Sequence, residues 1–523
     1  MAASPDTFGH IIIGSGINGL VAASLLALKG DKVLVLERED RIGGCLRSDE
    51  ITLPGFQHDV MAATFVLFMT SPAGAALAPH LARHGFEYCH TAHPTAVLRP
   101  DGTSLVLTMD QAKNVSNFNA LSAGDGDRHA LDVGGIGADA PFLFALLGGD
   151  LWSWPTAKLL FGQVRKRGLR GLAAWMGSAL APARGWLDSN YHSPLVQALW
   201  APWVLHCGLT PESAYSAQMG KVIAFALEAA GAPISKGGAG VAAQAFRGLI
   251  EEKGGVIRTG ADVDRIMVKD GRVTGVRLVG GEEIGSRSVL ASVAPGQLYG
   301  RLLEVNLPED RAAERQFRHG RGDFQLHYAL DRHPEWLTAG LEDVALIHLA
   351  DGIDSVSKSA NEAERGMLPA VPTICVGQPH RLDPSRCPDG KAILWLQIPD
   401  APRVIKGDAA GEIEARDWDT AREAFADRLE AILARHIKDF DKIKLARKAY
   451  SPADLERMNV NLVGGDPYGG ACSVDQFFIW RPFAHSTNGT GAVRGLIHIG
   501  ASTHPGPGLG GGSGFNAAKR LGA

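Results

Sequence analysis

The sequence has few cysteines and no excess of charge of one sign. Its six cysteines form no Cys-x-x-Cys pair and no cluster with histidine, which argues against a disulfide framework or a zinc site and is typical of a reducing compartment. The net charge of −4 is far from the basic excess that phosphate neutralisation requires. We therefore expect no metal ion and no nucleic-acid partner.

Long apolar runs are also lacking. No stretch approaches the roughly 20 uninterrupted apolar residues that a membrane-spanning helix needs, and the first predicted strand begins near Phe8, too early for a secretory signal ahead of it. We expect a cytoplasmic protein without a transmembrane helix or a signal peptide. Hydrophobic residues make up 45% and charged residues 21% of the 523, as in ordinary globular proteins with more than one domain.

What the sequence does contain is a dinucleotide-binding fingerprint. An apolar run leads into GSGINGL at residues 14–20, and a second apolar run ends at Glu37. Gly14 suits the tight turn, Gly16 lets the backbone approach a pyrophosphate, and Gly19 lets the helix pack on the strand. The helix would aim its free N–H groups at the phosphates, and Glu37 would accept from the ribose hydroxyls. This pattern predicts FAD or NAD.

A second glycine pair follows the ribose-binding acid. Gly43 and Gly44 would bring another stretch of backbone up to the cofactor, and three arginines, Arg38, Arg41 and Arg47, are available for phosphate charge. A nicotinamide dehydrogenase normally has only sheet and crossover helix here, so this pair favours FAD.

The C-terminal region predicts contact with a flat ring. A short apolar run at 496–499 leads into GASTHPGPGLGGGSGFNAA at 500–518. Such glycine density lets the main chain lie against the ring, and a helix that opens near Gly510 would present N–H donors to it. Those donors would stabilise the negative charge that builds at the flavin N1/O2 edge on reduction.

Between these regions the sequence alternates in character. We predict a Rossmann-like α/β FAD-binding domain with an interleaved α+β substrate domain, divided as follows: residues 1–113, FAD-binding; 114–235, a mostly helical insertion; 236–299, FAD-binding; 300–465, a substrate domain with a β-sheet; 466–523, FAD-binding. Basic residues among Leu, Phe and Trp at 158–184 indicate either an interfacial helix that touches anionic lipid or a solvated basic face.

The chain resembles the phytoene-desaturase-like flavoproteins, close to the carotenoid ketolase branch, within the glutathione-reductase-type FAD superfamily that includes amine oxidases. The resemblance rests on GGCLRSDE at 43–50, DPSRCPDGK at 383–391, Gln476 with Arg481-Pro482, and Thr503-His504-Pro505-Gly506. It implies that the backbone of Val263 contacts the adenine and that Leu509 and Gly510 supply amides near the flavin ring. Pro507 departs from the glycine or alanine found here in many relatives and stiffens the loop.

Together, motifs and resemblance give one set of expected cofactor-binding residues. They are Gly14, Ser15, Gly16, Asn18, Gly19, Glu37, Arg38, Gly43, Gly44, Arg47, Val263, Gly500, Ala501, Leu509, Gly510 and Gly511. His504 and His58 are the titratable side chains expected beside the ring, as proton acceptors or orienting groups. Each has the alternative of being a hydrogen-bonded loop residue.

The expected reaction is transfer of a hydride, or its equivalent, from a hydrophobic, isoprenoid- or carotenoid-like substrate to flavin N5. Because no second strand-turn-helix fingerprint would seat NAD(P), oxygen, a quinone or another diffusing acceptor would reoxidise the flavin. Two alternatives stay open: an FAD-dependent amine or alcohol oxidase, and a lipid-binding escort that shares the architecture without the chemistry.

Overall fold

The computed structural model describes residues 7–523. Its strands, in chain order, are β1 (Thr7–Phe8), β2 (His10–Ile13), β3 (Val33–Leu36), β4 (Ser48–Asp49), β5 (His58–Asp59), β6 (Tyr88–Cys89), β7 (Thr95–Leu98), β8 (Ser104–Leu107), β9 (Ile234–Ser235), β10 (Val256–Arg258), β11 (Val263–Lys269), β12 (Arg272–Leu278), β13 (Glu283–Ser286), β14 (Val289–Ser292), β15 (Gly322–Leu330), β16 (Leu346–Leu349), β17 (Met367–Leu368), β18 (Ile374–Gly377), β19 (Ala392–Ala401), β20 (Gly407–Asp408), β21 (Lys444–Tyr450) and β22 (Leu496–Ile499).

The helices connect and cover these strands. In chain order they are α1 (Ile17–Lys29), α2 (Val66–Met69), α3 (Pro72–Ala82), α4 (Gln111–Leu121), α5 (Asp125–Gly148), α6 (Trp154–Ala179), α7 (Ala183–Asn190), α8 (Pro194–Trp200), α9 (Ser216–Ala230), α10 (Ala239–Glu252), α11 (Pro308–Gln316), α12 (Ile353–Glu364), α13 (Pro379–Leu382), α14 (Trp418–Ala434), α15 (Phe440–Ile443), α16 (Pro452–Met458) and α17 (Gly512–Arg520). A 3-10 helix spans Ala201–Cys207 and a π-helical turn spans Gly296–Leu302.

A parallel five-stranded sheet forms the first layer. Its strand order is β10-β3-β2-β14-β22, and all four pairings are parallel. Strand β3 (VLVL) and residues Ile11–Ile13 of β2 are continuous Val, Ile or Leu runs buried on both faces, as strands of a covered parallel sheet must be. Helices α1, α10 and α17 pack together beside the sheet. The predicted Rossmann-like α/β class is confirmed, with strands drawn from widely separated parts of the chain.

The substrate side is built on a seven-stranded mixed sheet, ordered β21-β15-β19-β18-β16-β7-β8. One face packs on α14, where Phe324 of β15 meets Trp418 and Phe425. Strands β7 and β8 belong to this sheet although the sequence analysis placed them in the first FAD-binding segment. Strands of only four residues carry no sign of which sheet they will join, because only the pairing of β7 with β16 decides it.

The predicted helical insertion contains α4 to α9. Among residues 7–523, α5 is the one helix whose length and composition would let it cross a membrane, and 28% of its most apolar window is buried. It packs against α4 and α9. Helix α6 is largely exposed, with Trp154, Phe161 and Leu169 each more than 60% accessible.

Candidate functional site

The turn between β2 and α1 is an open cradle. Gly14 has φ +89°, and a Cβ there would lie 2.8 Å from the carbonyl oxygen of Ser292. A Cβ at Gly19 would collide with the carbonyl oxygen of Gly14, so this glycine sets the close packing of helix on strand. Gly16 differs, because a Cβ there would meet no described protein atom within 4 Å. The space beside Gly16 is therefore free for a ligand.

Glu37 locks this turn from the end of β3. The carboxylate is buried, and its Oε2 accepts from the backbone N–H of Ser15 at 2.9 Å and from the Ser15 hydroxyl at 2.5 Å. The same hydroxyl accepts from the N–H of Gly43 at 3.0 Å. Gly16 and Gly43 form an isolated parallel bridge, and a Cβ on Gly44 would lie 3.1 Å from the Gly16 Cα. Gly43 and Gly44 therefore pack directly against the turn at Gly16.

The three arginines near this turn already have acidic partners. Arg38 bonds Glu39, with its Nε 2.9 Å from the carboxylate, and Arg41 and Arg47 share Asp49 at 2.6 Å each. These arginine side chains are half-exposed, so their ion pairs are loosely held. The arginines are therefore not free cations, and a diphosphate would compete with the acidic residues for them.

Both ends of the chain meet at the cradle. The Ser513 hydroxyl donates to Oδ1 of Asn18 at 2.9 Å and accepts from the N–H of Gly500 at 2.8 Å. Gly514 packs on the Asn18 carbonyl so closely that no Cβ would fit. The side chain of Asn18, predicted to contact the cofactor, therefore joins α1 to α17, while its backbone remains part of the turn.

Arg481 anchors the glycine-rich loop that precedes α17. This guanidinium is buried and donates to the carbonyl of Ala501 from Nε at 3.1 Å and from its terminal nitrogen at 2.9 Å. Gly511 is the N-cap of α17 and packs on Val21, while Leu509 joins the core around α1. Gly510 lies beside the Leu67 carbonyl. The loop is thereby fixed against the first helix.

Val263 begins β11 and is buried. Two residues earlier the N–H of Ala261 donates to the carbonyl of Glu37 at 2.8 Å. The segment that carries Val263 is therefore anchored to the end of the ribose-binding strand, which is where an adenine would be expected.

FAD fits these residues. The cradle has an unfilled space at Gly16, an N-terminus of α1 without a side-chain cap or an acidic residue in its first turn, and the buried acid Glu37 at the neighbouring strand end. These features of the described residues match the binding of a diphosphate at the N-terminus of α1 and of a ribose at Glu37. A second helix without a side-chain cap, α17, begins beside this turn, where Gly514 packs on the carbonyl of Asn18.

The two predicted histidines line different cavities. His58 is buried, its Nε2 lies 2.8 Å from the Thr52 hydroxyl, and burial with the nearby Arg386 lowers its pKa to about 3. His504 lines a separate polar cavity together with Arg520, and burial lowers its pKa to about 4. Both imidazoles are neutral near pH 7, which suits an orienting group or a weak proton acceptor.

Sequence reasoning missed a polar face on a fully buried strand. Along β15, Phe324, Leu326 and Tyr328 face the core around α14, while the alternating residues Asp323, Gln325 and His327 face the other way. All are less than 3% exposed. The available signal was the alternation in GDFQLHYAL, since polar residues at every second position of a buried strand indicate a functional face.

The neighbouring strands extend this polar face. Register places Gln325 opposite Gln397, Gln397 opposite Cys375, and Cys375 opposite His348. The indole N–H of Trp395 donates to Oε1 of Gln325 at 2.5 Å. A row of polar side chains therefore crosses four strands of the sheet, on the face away from α14.

One end of that row is the described cluster best suited to a metal. Nε2 of His206 lies 2.9 Å from Nε2 of His348, and the Cys375 thiol belongs to the same group, with all ligand atoms within 4.8 Å. Burial lowers the pKa of both histidines and raises that of the thiol. With all three groups neutral near pH 7, a hydrogen-bonded pair of imidazoles accounts for this geometry.

A small apolar cavity lies on the same face of the sheet. It is lined by His58, Ala63, Ile234, Leu346, Leu382 and Trp395, among others. The one carboxylate in its wall, Asp59, is already bonded to Ser48 at 2.6 Å and paired with Arg386 at 2.7 Å. A ligand there meets mainly carbon surface.

Comparisons with known proteins agree with this site. The family model for an NAD(P)-binding Rossmann-like domain matches residues 12–78. The chain is 29% identical to pyridine nucleotide-disulfide oxidoreductase domain-containing protein 2 of Rattus norvegicus, over 98% of this chain and 92% of that protein. It is 26% identical to hydroxyneurosporene desaturase of Rubrivivax gelatinosus (97% and 92%) and 25% to zeta-carotene-forming phytoene desaturase of Myxococcus xanthus (97% and 92%).

This chain is an FAD-dependent oxidoreductase. The resemblance to phytoene-desaturase-like flavoproteins is confirmed over nearly its whole length. Solved structures show the same fold: an oxidoreductase from Methanosarcina mazei has a TM-score of 0.62 at 14% identity, covering 98% of this chain and 100% of that one, and a putrescine oxidase variant has 0.60 at 15%, covering 98% of each.

Proposed function

We propose that this flavoenzyme removes hydrogen from a hydrophobic, isoprenoid-like substrate held in the apolar cavity. The observation that carries the proposal is the apolar wall of this cavity, which includes Leu346, Leu382 and Trp395, because such walls bind carbon skeletons and exclude water. Bound FAD supplies the acceptor for a hydride equivalent at N5. Relatives named for hydroxyneurosporene and for phytoene support a substrate of this class.

The cavity wall disfavours an ammonium substrate. A buried cation needs an unpaired carboxylate or an aromatic cage, whereas Asp59 is engaged by Ser48, Arg386 and the N–H of Ala239 at 2.7 Å. His58, the other titratable group in the lining, is neutral. The charge pattern therefore supports a dehydrogenase or desaturase over an amine oxidase.

Anaerobic mixing of the holoenzyme with candidate substrates tests this proposal. We expect phytoene or limonene to bleach the flavin absorbance near about 450 nm, and putrescine to leave it unchanged. The variant Ala63→Phe, which fills part of the cavity, should slow the bleaching at least about tenfold while its FAD content stays that of the wild type. Bleaching by putrescine alone would make the protein an amine oxidase.

The proposed electron acceptor is oxygen, a quinone or another diffusing oxidant. The second glycine-rich helix start, at α10, is filled by protein groups: Ser48 occupies the place of a Cβ at Gly238, and Asp59 caps Ala239. That end offers no second dinucleotide cradle. Rapid mixing of the reduced enzyme should give reoxidation by air or a soluble quinone and none by NADP⁺; reoxidation by NADP⁺ would overturn this proposal.

We also propose that α6 touches an anionic membrane surface. Its exposed residues, which lie on both sides of a break in the helix at Gly168, combine Trp154, Phe161 and Leu169 with basic residues that include Lys166 and Arg170, the composition of an interfacial helix. Vesicles with about a third phosphatidylserine should sediment the protein, and neutral vesicles should not. The variant Phe161→Ser/Leu169→Ser should release it, and unchanged sedimentation of that variant would contradict the proposal.

A further inference from the structure

Two imidazoles and a thiol form a buried cluster outside the cofactor cradle. The cluster contains His206 from the 3-10 helix, His348 from β16 and Cys375 from β18. One nitrogen of each imidazole and the thiol sulfur all lie within 4.8 Å of one another. The three residues are far apart along the chain, which is why the spacing of histidines and cysteines predicted no metal site.

Sheet register and one aromatic ring hold the cluster in place. His348 and Cys375 are direct partners across the antiparallel strands β16 and β18, so their side chains leave the same face of the sheet. Both are at most 1% exposed. The ring of Trp203 packs on both imidazoles, with its centroid 4.8 Å from that of His206 and 4.8 Å from that of His348. The three side chains are therefore pre-organised by rigid elements.

The hydrogen bond between the imidazoles describes this cluster without an ion. Nε2 of His206 lies 2.9 Å from Nε2 of His348, and one proton lies between them. This bond does not involve the thiol of Cys375, and it leaves Nδ1 of His348 buried without a partner among the described residues. An ion in place of the shared proton would use the thiol together with both imidazoles.

The charge of the surroundings selects the ion. The thiol lies in an apolar core that includes Trp203 and Trp395. Among the described residues, Asp323 is the only carboxyl that contributes to the pKa of any of the three groups, and burial raises the pKa of Asp323 itself to about 8. A divalent ion with one thiolate would leave a positive charge uncompensated, which is costly in such a core. A monovalent ion with one thiolate is neutral.

We propose that His206, His348 and Cys375 bind one Cu(I) ion, which fastens the helical insertion to the substrate sheet. Thiolate ligands select Cu(I), and imidazole also suits copper. On binding, the Cys375 thiol releases its proton to solvent and a copper–sulfur bond forms, while each imidazole donates one nitrogen lone pair. No electron is transferred, and the site gains no net charge. The proposal does not depend on the substrate proposed above.

The site lies beside the apolar cavity. Leu346 and Gly377 are the partners two residues along from His348 and Cys375 on the same two strands, so they share the same face, and both line the cavity. His206 is partly exposed, which leaves an approach for the ion. The expected role is structural, because the ion would tie the 3-10 helix of the insertion to this part of the cavity wall.

Copper retention under competition gives the first test. The full-length, FAD-loaded protein is mixed anaerobically with Cu(I), ascorbate and excess bathocuproine disulfonate, and the copper that stays with the protein is measured after gel filtration. We expect about one copper per chain in the wild type and about tenfold less in Cys375→Ser. Cys472→Ser is the matched control, since Cys472 is a buried free thiol outside the cluster, and it should retain as much copper as the wild type.

Thermal melting gives the second test. Excess Cu(I) should raise the Tm of the wild-type holoenzyme by at least about 2 °C and leave that of His206→Gln unchanged. This variant should fold, because a glutamine amide can still hydrogen-bond to His348, and its FAD content should equal that of the wild type. The copper K-edge spectrum of the wild type should show three-coordinate Cu(I) with one sulfur neighbour.

The contrary outcomes are distinct. Equal copper retention in the wild type and Cys375→Ser, or loss of copper in Cys472→Ser, would place the ion elsewhere and overturn the proposal. A rise in Tm that persists in His206→Gln would remove His206 from the site. A wild type that retains one Zn²⁺ per chain against a zinc chelator and no copper would overturn the choice of ion.

Discussion

Two helices of the FAD-binding domain, α1 and α10, begin in glycine-rich turns, yet their N-termini are used in opposite ways. At α1 a Cβ on Gly16 would meet no described protein atom within 4 Å. At α10 a Cβ on Gly238 would collide with the Ser48 hydroxyl, and the first N–H groups donate to Asp59 and Ser48 at 2.7 and 2.9 Å. The N-terminus of α1 is open to an anionic ligand, whereas the N-terminus of α10 already binds the carboxylate of Asp59.

The difference shows why a glycine-rich helix start does not by itself identify a cofactor site. The carboxylate of Asp59 compensates the dipole at the N-terminus of α10, and this carboxylate pairs with the fully buried Arg386. The dipole at α1 has no protein counter-charge in its first turn. An anion-binding site is therefore recognised by the missing partner as much as by the glycines.

Breaking the internal partner of α10 should have the largest effect. Arg386→Met leaves the carboxylate of Asp59 buried without its cation, which should lower the free energy of unfolding by about 3–5 kcal/mol. Denaturant unfolding measures this. The exposed pair Arg258–Glu282 is the control, and Arg258→Met should cost less than about 1 kcal/mol. Equal losses in the two variants would show that α10 does not depend on this pair.

Matched substitutions at the two glycines sharpen the comparison. Gly16→Val should fold with little change in apo-protein Tm, because Gly16 has φ −64° and free space, but should weaken FAD binding about 100-fold by blocking the diphosphate. Gly238→Ala should instead lower stability by about 1–3 kcal/mol, because it collides with Ser48 at φ +110°. Apo-protein melting and flavin titration separate the two. Destabilisation by Gly16→Val without loss of FAD affinity would reverse the assignment.

Lowering the pH should reduce the free energy of unfolding through His58, which precedes the Asp59 that caps α10. Burial, then Arg386, lower the pKa of His58 to about 3, whereas an unfolded histidine titrates near about 6.5. Because the unfolded chain then binds more protons, the contribution of His58 falls as pH drops below about 6.5, by about 2 kcal/mol at pH 5. His58→Gln should remove that part of the pH dependence. An identical dependence in the variant would mean that His58 is protonated in the folded protein.

Removing the hydrogen bonds that join the two chain ends should have the smallest effect on the free energy of unfolding. Ser513→Ala removes the hydroxyl that joins Asn18 to Gly500, at a cost of about 1 kcal/mol in unfolding free energy. The N–H of Gly514 still reaches Asn18 at 3.3 Å, which limits the loss. Ser178→Ala, an exposed serine on α6, is the control and should be neutral; a neutral Ser513→Ala would show that packing alone joins the ends.

The fold was predictable where local pattern and long-range partner coincide. The strand, glycine turn and helix at 10–29 could be predicted because each residue type has one role in that turn, and the C-terminal glycine loop for the same reason. The membership of β7 and β8 in the substrate sheet was not, since it is decided by pairing with β16, some 250 residues away.

The site was predictable in part for the same reason. The glycines and Glu37 act through the backbone and local spacing. The face formed by Asp323 and its row depends on four strands lying in register, which no local pattern specifies. The paired state of Asn18, and the separation of His58 from His504 into two cavities, likewise arise only from tertiary packing.

The most direct test of the account is the amount of FAD bound by the purified, full-length chain. Flavin released by denaturation should equal about one FAD per chain in the wild type and fall far below that in Gly16→Val, while both proteins show the same cooperative melting without added cofactor. A folded wild type that neither carries nor takes up FAD would contradict the central claim that the two ends of the chain close around this cofactor.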